Sequence, residues 1–514
     1  MKIVTAAEMQ EIDRLTITRG IPGIVLMENA GVAVVRYLEK HCGPLDRHRA
    51  IIFSGKGNNG GDGFVIARQL FQRRLCQELT IIELFPKDQL SGDAALARHM
   101  LDAIACPVFQ EVPEQAFGAT LVIDAILGTG VRGAATGRAL EFIQLINKRF
   151  SHAVKVAVDF PSGFPTDEVE AAGEYVRVNH TITFTALKRS QAFSGSYEAM
   201  GRLEVAPIGT AEELCEREAK FSLRLTTPSD LARLFAPRPR NSNKGMYGHV
   251  LVVAGSAPKL GAAAMAGTSV LRAGAGLATV ASAREATAVI AGTCSELMTE
   301  PLPHTPDGHI AYAAKSVIEK LLEGKTVLAI GPGLGTEEET VRLVRDLYAS
   351  VELPMVIDAD ALNALAGSDL RTDKIRILTP HPGEMGRLIG KSAKQVQQER
   401  LENTQSLAQK SRATVVLKGD RTLIAIPEGE TWVNPTGSPA MATGGTGDIL
   451  TGIIAGLVAQ HPKEWQRAVA AAVWLHGRAG ELGSENLGEQ CLLATDLLHF
   501  LPQAMEECRA AGGY

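Results

Sequence analysis

The sequence has few of the features that would build a disulfide-stapled, zinc-binding or nucleic-acid-binding protein. Its 7 cysteines are widely spaced and include no Cys-x-x-Cys pair, which excludes a zinc ribbon and a disulfide framework. No histidine is followed directly by glutamate, so the zinc-helix motif His-Glu-x-x-His is absent. Lysine and arginine (52) do not outnumber aspartate and glutamate (57), and the net charge of −5 provides no general basic field for nucleic acid or an anionic membrane.

Long apolar runs are also scarce. The stretch 449–459 is too short to span a bilayer, and the stretch 262–283 is long enough but carries Arg272 and consists mostly of alanine and glycine. The N-terminal residues reach Glu8 and Glu11 before any uninterrupted apolar run, which is not typical of a signal peptide. We therefore expect a cytoplasmic protein with no membrane or nucleic-acid partner.

Two α/β halves follow one another along the chain. Its 514 residues suffice for two to four domains. In each half short β-branched runs alternate with helical patterns, which predicts parallel sheets covered by helices on both faces. A proline-rich and polar stretch over 223–245 separates the halves, so we predict one domain over 1–222 and a second over 223–514.

The predicted elements lie close together along each half. In the first half we predict strands at 50–54, 79–84, 120–125, 155–159, 180–185 and 202–207, and helical segments at 24–41, 63–75 and 90–105. In the second half we predict strands at 249–254, 326–330, 355–358, 375–378, 414–418 and 422–426, and helices at 448–460 and 465–482.

A glycine cluster, GKGNNGGDG, follows the first predicted strand. Its first six residues match G-x-G-x-x-G, a turn that directs backbone N–H groups and a helix N-terminus at a phosphate, and Glu83 would then be the ribose-binding acid. The side chains of Asn58, Asn59 and Asp62 instead supply hard oxygen atoms, which suit a cation or a hydroxylated ligand better. Both interpretations are open at this point.

Carboxylates follow two further predicted strands of the first half. Asp124 precedes LGTGVRG and Asp159 precedes FPSG. The carboxyl ends of parallel strands border the crevice in which open α/β sheets bind ligands. Lys188 comes just after the next strand, and a lysine beside carboxylates in a partly closed crevice can transfer protons.

The motifs GKGNNGGDG, DAILGTGVRG, VDFPSG and TFTALK, in this order and spacing, resemble the NAD(P)H-hydrate epimerase family. This family interconverts the R and S hydrates of damaged NADH and NADPH in a Rossmann-like three-layer αβα domain and binds potassium. The resemblance implies that Asp159 and Lys188 move protons and that Asn59, Asp124 and Ser162 hold potassium. It implies hydrate contacts by Asn58, Asn59, Gly60, Gly61, Asp62, Gly128, Thr129, Gly130, Val131, Arg132, Gly133, Ala134 and Asp159.

A second glycine-rich turn, PTGSPAMATGGTGDILTG over 435–452, precedes an apolar helix. Such a turn at a helix N-terminus is an anion hole, and the Walker pattern of a P-loop is absent. Asp448 in this turn would sit beside a transferring phosphate, where it can accept a hydroxyl proton. The turn KGDRT over 418–422 lies between two predicted strands, and its cations and N–H groups suit a nucleotide phosphate.

Three shorter segments also follow predicted strands. GPGLG at 331–335 would let the backbone approach a ligand closely. In TPHPGE, His381 is as often a satisfied structural group as a ligand. DADALN at 358–363 is interpreted as a helix start, in which Asp358 is a capping residue.

Together with KGMYGHVLVVAGS and GAAAMAG, these segments resemble the ribokinase-like fold and, within it, the ADP- or ATP-dependent NAD(P)H-hydrate dehydratase family. The family implies phosphorylation of the S-hydrate hydroxyl, with Asp448 as the base, and then elimination of phosphate. It implies ADP as co-substrate with magnesium, although the residues themselves leave ADP and ATP open. The implied hydrate contacts are Ala262, Gly333, His381 and Asp448, and the implied nucleotide contacts are Lys418, Gly419, Asp420, Arg421, Thr422 and Gly447.

The sequence thus predicts a bifunctional isomerase and lyase that repairs hydrated nicotinamide nucleotides and forms a homo-oligomer. One alternative is a ribokinase-like small-molecule kinase fused to an NAD-dependent dehydrogenase domain, which G-x-G-x-x-G with Glu83 favours and the NNGGD core disfavours. A second alternative is a nucleotide-sensing or scaffold protein. The intact set Asp159, Lys188 and Asp448 argues against that hypothesis.

Overall fold

The computed structural model describes residues 1–130, 133–193, 197–217, 222–257 and 259–513. The chain divides into two compact units, Met1–Leu223 and Arg224–Tyr514. No single helix of the described residues is long and apolar enough to cross a membrane, and only the neighbouring helices Ala6–Thr18 and Gly23–His41, bent by 118°, reach that length and composition together.

The first unit is built from short strands and seven described helices. Its strands are β1 (Lys2–Val4), β2 (Arg49–Ser54), β3 (Glu78–Glu83), β4 (Leu121–Ala125), β5 (Val154–Val158), β6 (His180–Phe184), β7 (Leu187–Lys188) and β8 (Arg202–Ala206). Its helices are α1 (Ala6–Thr18), α2 (Gly23–His41), α3 (Asn58–Gln72), α4 (Gly92–Asp102), α5 (Gly137–Arg149), α6 (Arg189–Ala192) and α7 (Glu212–Arg217).

Six of these strands form a parallel sheet in the order β3-β2-β4-β5-β6-β8. Alternate side chains of β2 enter different cores: Ile52 packs with α2, α3 and α4, whereas Ile51 and Phe53 pack with α5. This is the alternation expected of a sheet buried on both faces. The predicted three-layer α/β class is confirmed. The short strands β1 and β7, which the sequence did not predict, pair with each other in parallel and are not part of this six-stranded sheet.

The second unit has a longer sheet. Strand β9 (Leu223–Leu225) lies at the division, followed by β10 (His249–Val253), β11 (Leu277–Ala283), β12 (Met298–Leu302), β13 (Val327–Ile330), β14 (Met355–Ile357), β15 (Arg376–Leu378), β16 (Thr414–Leu417), β17 (Leu423–Ala425) and β18 (Thr431–Val433). The helices are α8 (Pro228–Leu231), α9 (Leu260–Arg272), α10 (Arg284–Ala291), α11 (Ala314–Leu321), α12 (Glu338–Ser350), α13 (Ala359–Leu365), α14 (Pro382–Ile389), α15 (Ala393–Gln398), α16 (Arg400–Ser411), α17 (Thr446–Gln460), α18 (Trp465–Leu487) and α19 (Leu497–Ala511).

The strand order of this sheet is β12-β11-β10-β13-β14-β15-β16-β17-β18-β9. Strands β12 to β16 are parallel, and β16, β17 and β18 are antiparallel neighbours. Helices α9, α17 and α18 share one alanine-rich core over the sheet. At Gly452 a Cβ atom would overlap the carbonyl oxygen of Ala266, so α17 and α9 touch backbone to backbone. This contact fixes the position of α17, whose first turn carries Asp448.

Candidate active sites

The first unit has a cavity of about 170 Å³ beside the carboxyl ends of its parallel strands. Its wall includes several of the residues that the sequence predicted: Asn58, Asn59, Asp62, Gly128, Thr129, Asp159 and Lys188. Side chains of α1 and α2, among them Asp13 and Met27, form part of the wall and were not predicted. The cavity therefore unites residues that lie more than a hundred positions apart in sequence.

A buried ion pair lies on this wall. The Lys188 ammonium is 1% exposed and donates to Asp159 Oδ1 at 2.7 Å and to Thr183 Oγ1 at 2.7 Å. Thr183 in turn donates to the same Asp159 oxygen at 2.7 Å. Asp159 has a left-handed backbone with φ of 63°, which is uncommon for a residue with a side chain and is typical of functional turns. A fixed carboxylate with its own ammonium can exchange protons with a ligand in the cavity.

The glycine cluster forms the first turns of α3. The helix begins at Asn58, with Gly57 as its N-cap, five residues earlier than predicted. At Gly60 a Cβ atom would overlap the carbonyl oxygen of Gly55, so glycine is required for packing. Glu83, the ribose-binding acid of the dehydrogenase alternative, is instead buried and paired with Arg98 at 2.7 Å. Because of that pairing, Glu83 no longer favours the dehydrogenase alternative.

Asp124 and Ser162 come together behind this helix. Asp124 is fully buried and accepts from the Ser162 hydroxyl at 2.5 Å and from its backbone N–H at 2.8 Å, yet no cation is paired with it among the residues that the structure describes. Burial raises the pKa of Asp124 to about 6, against the effect of these hydrogen bonds. Asn59 donates to the Leu127 carbonyl, while its own buried Oδ1 has no hydrogen-bond partner within the described part of the chain. These oxygen donors fit a hard monovalent cation such as potassium.

The remaining predicted contacts of the first unit lie elsewhere. Gly61 belongs to α3 and packs against the Met27 side chain of α2. Gly130, Gly133 and Ala134 continue the loop after β4 and do not line the cavity. Val131 and Arg132 lie outside the described residues.

The second unit holds a second lysine–aspartate pair just after β16, in which Asp358 is buried and the Lys418 side chain is 18% exposed. Lys418 donates to Asp358 Oδ1 at 2.6 Å and lies 3.8 Å from Glu384 Oε2. Thr451 of α17 donates to the other Asp358 oxygen at 2.7 Å. Burial lowers the pKa of Lys418, but the carboxylates of Asp358 and Glu384 outweigh it and raise that pKa overall. Asp358 is the N-cap residue of α13, at the predicted helix start, but its side chain makes no capping hydrogen bond and accepts from Lys418 and Thr451 instead.

Asp448 lies in the first turn of α17, after Gly445, whose φ is 96°. Burial raises the pKa of Asp448 to about 6; the nearby Asp358 raises it further, and Lys418 opposes the shift. At the N-terminus of a helix, free backbone N–H groups favour an anion such as phosphate. The carboxylate is thus close to a lysine and to an anion site, where it can accept a proton near neutral pH.

A cavity of about 390 Å³ adjoins this turn. Of the predicted nucleotide contacts, Lys418, Gly419, Asp420, Thr422 and Gly447 line it, and Arg421 lies in the same turn but not on its wall. Five further polar residues line this wall and were not predicted as contacts: Asn434, Thr436, Ser438, Thr446 and His476.

His476 fixes the turn that carries Asp448. Its Nε2 is 2.9 Å from the carbonyl oxygen of Thr446, the first residue of α17. Burial lowers the pKa of His476 to about 4, so the ring is neutral at physiological pH. A neutral ring that donates from Nε2 leaves Nδ1 as an acceptor.

The predicted hydrate contacts Ala262, Gly333 and His381 are not among the residues that line this cavity. Gly333 lies beside Ala262, so close that a Cβ atom added to the glycine would lie 3.2 Å from the Ala262 Cβ. The neighbouring Lys259 pairs with Asp360 at 3.0 Å, and both are near enough to Asp448 to act on its pKa. His381 is half exposed and caps α14 by accepting from the Gly383 and Glu384 N–H groups.

Comparison with known proteins gives the same division. A family model described as NAD(P)H-hydrate dehydratase matches residues 250–503, and one described as YjeF-related protein N-terminus matches residues 23–190. The bifunctional NAD(P)H-hydrate repair enzyme Nnr of Moorella thermoacetica is 42% identical, over 98% of this chain and 97% of that protein. The Nnr protein of Coxiella burnetii is 36% identical, over 96% of this chain and 97% of its own.

Solved structures resemble the second unit. The ADP/ATP-dependent NAD(P)H-hydrate dehydratase from Bacillus subtilis, co-crystallized with ATP/Mg2+, is 33% identical with a TM-score of 0.50 and covers 55% of this chain and 98% of its own. A ribokinase-like superfamily protein from Enterococcus faecalis is 28% identical, also with a TM-score of 0.50, and covers 56% of this chain and 96% of its own. The resemblance inferred from the motifs is confirmed, and the chain belongs to the family of bifunctional NAD(P)H-hydrate repair enzymes.

Proposed function

We propose that this chain repairs hydrated NADH and NADPH. The first unit interconverts the R and S hydrates, and the second unit dehydrates the S-hydrate with ADP, giving AMP, phosphate and NAD(P)H. The observation that carries this proposal is a lysine–aspartate pair with one buried member beside a cavity in each unit, Lys188–Asp159 at 2.7 Å and Lys418–Asp358 at 2.6 Å. Fusion is chemically sensible, because the dehydratase accepts one epimer only.

Epimerisation acts on a ring carbon that bears both the hydroxyl and the ring nitrogen. When the hydroxyl takes a proton and leaves as water, the nitrogen electron pair forms a carbon–nitrogen double bond. Water then adds to the other face and gives up a proton. Asp159 is held at the cavity wall by Lys188 and Thr183, and we assign it this proton exchange.

Potassium would be held by Asn59, Asp124 and Ser162. The unpaired Asn59 Oδ1 and the buried Asp124 carboxylate, which has no cationic partner among the described residues, support this assignment. When bound, the ion supplies positive charge that compensates the buried carboxylate and organises the loop after β4. The epimerase activity should accordingly fall when potassium is replaced by a large organic cation.

Dehydration begins with transfer of a phosphoryl group. Asp448 accepts the proton of the hydrate hydroxyl while the oxygen attacks the terminal phosphorus of ADP and AMP leaves. The new phosphate ester then breaks at the ring carbon with the help of the nitrogen electron pair, and loss of a proton from the neighbouring carbon restores the ring double bond. We assign nucleotide contact to the turn 418–422 and Gly447, and hydrate contact to Ala262, Gly333 and His381.

Magnesium would accompany the nucleotide. Asp360 and Asp448 are hard oxygen donors bordering the phosphate crevice, which is the chemistry that magnesium prefers. When bound, the ion screens the charge of the phosphates. The choice of ADP over ATP, the cytoplasmic location and the homo-oligomeric state stay predictions.

The decisive experiment is incubation of the purified full chain with separated R and S hydrates. With ADP and potassium, reduced-nicotinamide absorbance should recover from both epimers, and without nucleotide from neither. With ATP in place of ADP, the same assay measures nucleotide preference. Absence of recovery from the S-hydrate with either nucleotide would refute the proposal.

A further inference from the structure

Asp13 is an unassigned carboxylate on the wall of the first cavity. It belongs to α1 and lies outside the stretch 23–190 that the N-terminal family model matches. Strand β1 pairs in parallel with β7, with Val4 opposite Lys188, so α1 starts next to the catalytic lysine's own strand. Thr5 and Glu8 form a capping box that fixes this start.

The helical spacing then directs Asp13 at the cavity. Met9, Asp13 and Ile17 follow one another at intervals of four residues, which places them on one side of a helix, and all three line the cavity. The local fold therefore places this carboxylate on the same cavity wall as Asp159 and Lys188, which are distant in sequence.

Asp13 differs from Asp159 in its partners. Asp159 is bound by Lys188 and Thr183, whereas the side chain of Asp13 has no hydrogen bond or ion pair with any residue in the described ranges. Burial raises the pKa of Asp13 to about 6; Lys188 opposes this shift and Asp159 adds to it. An unpartnered carboxyl group that titrates in this range can both give and take a proton.

Asp62 and Asp93 are the other acidic groups of this wall. Asp62 is buried on α3, and burial together with Asp159 and Asp13 raises its pKa well above the ordinary range. Asp93 lies on α4 beside Gly23, at the outer part of the wall.

Exchange of a hydroxyl between the two faces of a ring needs proton transfer on both faces. On one face the carbon–oxygen bond breaks as the oxygen takes a proton and departs as water. On the other face water forms the new carbon–oxygen bond and gives a proton away. One fixed carboxylate reaches one face of a bound ring, so a second acid–base group is required, and no oxidant or further reactant is involved.

We propose that Asp13 is this second catalytic acid–base group and exchanges protons with the hydroxyl on the ring face turned away from Asp159. The inference rests on the proposed epimerase function of the first unit. It assigns a reacting role to a side chain that none of the motifs contains.

The test compares Asp13→Asn with Glu11→Gln in the full chain. Glu11 lies on the exposed side of the same helix, paired with Arg14, and is the matched control. Three quantities are measured: the rate of recovery from R-hydrate with ADP and an excess of dehydratase activity, recovery from pure S-hydrate, and the thermal unfolding midpoint. The excess dehydratase is supplied by a Lys188→Met chain, which lacks epimerisation.

Asp13→Asn should lower kcat for R-hydrate at least about 100-fold, with KM changed by less than about threefold. Recovery from S-hydrate should be unchanged, and the unfolding midpoint should not fall, because asparagine removes a buried charge without a partner. Glu11→Gln should behave like the unaltered chain.

Each other outcome is decisive. If the unaltered chain does not epimerise, the proposed function of the first unit fails. If it does and Asp13→Asn keeps kcat within about twofold, Asp13 has no catalytic role. If kcat falls together with the unfolding midpoint, or if KM alone rises, Asp13 is a structural or binding residue and the inference is overturned.

Discussion

The Lys188 ammonium donates hydrogen bonds to three oxygen atoms, those of the Asp159 carboxylate, the Thr183 hydroxyl and the Phe184 carbonyl. Removing one member of a buried ion pair leaves the other charge without compensation, which costs about 3 kcal/mol. We expect Lys188→Met to lower the free energy of unfolding of the first unit by that amount and to reduce epimerisation at least about 100-fold. Denaturant unfolding and the R-hydrate assay measure the two effects separately.

The double variant Lys188→Met with Asp159→Asn distinguishes an effect on catalysis from an effect on stability. It removes both charges, so most of the lost stability should return while epimerisation stays absent. Recovery of epimerisation in the double variant would show that the pair acts only through the fold.

Asp448 is partly buried near Asp358, and both effects raise its pKa, so we expect its ionised form to oppose folding. The sign follows from its raised pKa: the folded chain binds the proton more tightly than the unfolded chain, so above pH of about 6 the ionised group opposes folding. Asp448→Asn should stabilise the second unit by about 1–3 kcal/mol at neutral pH and lower dehydration of S-hydrate by about two to four orders of magnitude. Thermal unfolding measures the change in stability, and recovery of reduced-nicotinamide absorbance measures dehydration. If Asp448→Asn also abolished epimerisation, the two activities would not have separate sites.

The same pKa predicts how dehydration depends on pH. A base must be ionised, so kcat/KM for S-hydrate should rise as pH increases through about 6 and level off above it. Asp358→Asn removes a negative neighbour and should move this rise to lower pH, whatever its effect on the maximal rate. If kcat/KM of the Asp358→Asn variant rises at the same pH as in the unaltered chain, the rise is not caused by ionisation of Asp448.

Individual residues were predictable where one short segment contains their reason. Asp448, Asp159 and Lys188 each follow a glycine-rich turn or a strand end; Asp159 and Lys188 line the first cavity, and Asp448 lies in the first turn of α17. Asp358 was predicted only as part of a helix start, because its side-chain partner Lys418 is sixty positions away. Asp13 offered no local signal at all, since only the pairing of β1 with β7 brings it to the cavity.

At the scale of elements, Arg376 connects the end of α12 to the start of β15. It is 1% exposed and donates to the carbonyl oxygens of Tyr348, Val351, Leu353 and Ile375. Burial lowers its pKa to about 10, but the guanidinium remains charged at neutral pH. Without it, several buried carbonyl groups lose their donor, each at about 1 kcal/mol or more.

We expect Arg376→Met to lower the free energy of unfolding of the second unit by about 3 kcal/mol. Arg376→Lys should restore little, because one ammonium cannot reach the positions that a planar guanidinium serves. The exposed Arg371→Met is the control and should change stability by less than about 0.5 kcal/mol. Denaturant unfolding followed by circular dichroism measures all three; equal effects at 371 and 376 would refute the argument.

Strands with β-branched cores were predictable to within a residue or two, for example β4 and β13. The strands that the sequence did not predict have compositions that are not typical of strands. Strand β11 reads LATVASA, in which alanine gives no β signal, and the edge strand β12 contains Pro301, which is tolerated only at an edge. The two-residue β7 has no periodicity to detect.

At the scale of the whole molecule, each unit has its own hydrophobic core and its own lysine–aspartate pair. The proposed reactions are sequential, and the S-hydrate is the only species that both sites handle. Two chains that are each defective in one site should then complement one another through free S-hydrate in solution. A Lys188→Met chain supplies dehydration, and an Asp448→Asn chain supplies epimerisation.

Mixed in equal amounts with R-hydrate, potassium and ADP, these two chains should recover reduced-nicotinamide absorbance, although each alone gives almost none. The rate should increase with the concentration of either chain until the other limits it, because the intermediate diffuses between them. A chain that carries both substitutions, added to either single variant, is the control and should add nothing. If the mixture fails while each single variant keeps its remaining activity, transfer of S-hydrate requires both intact sites in one chain, and independent action of the two units would be refuted.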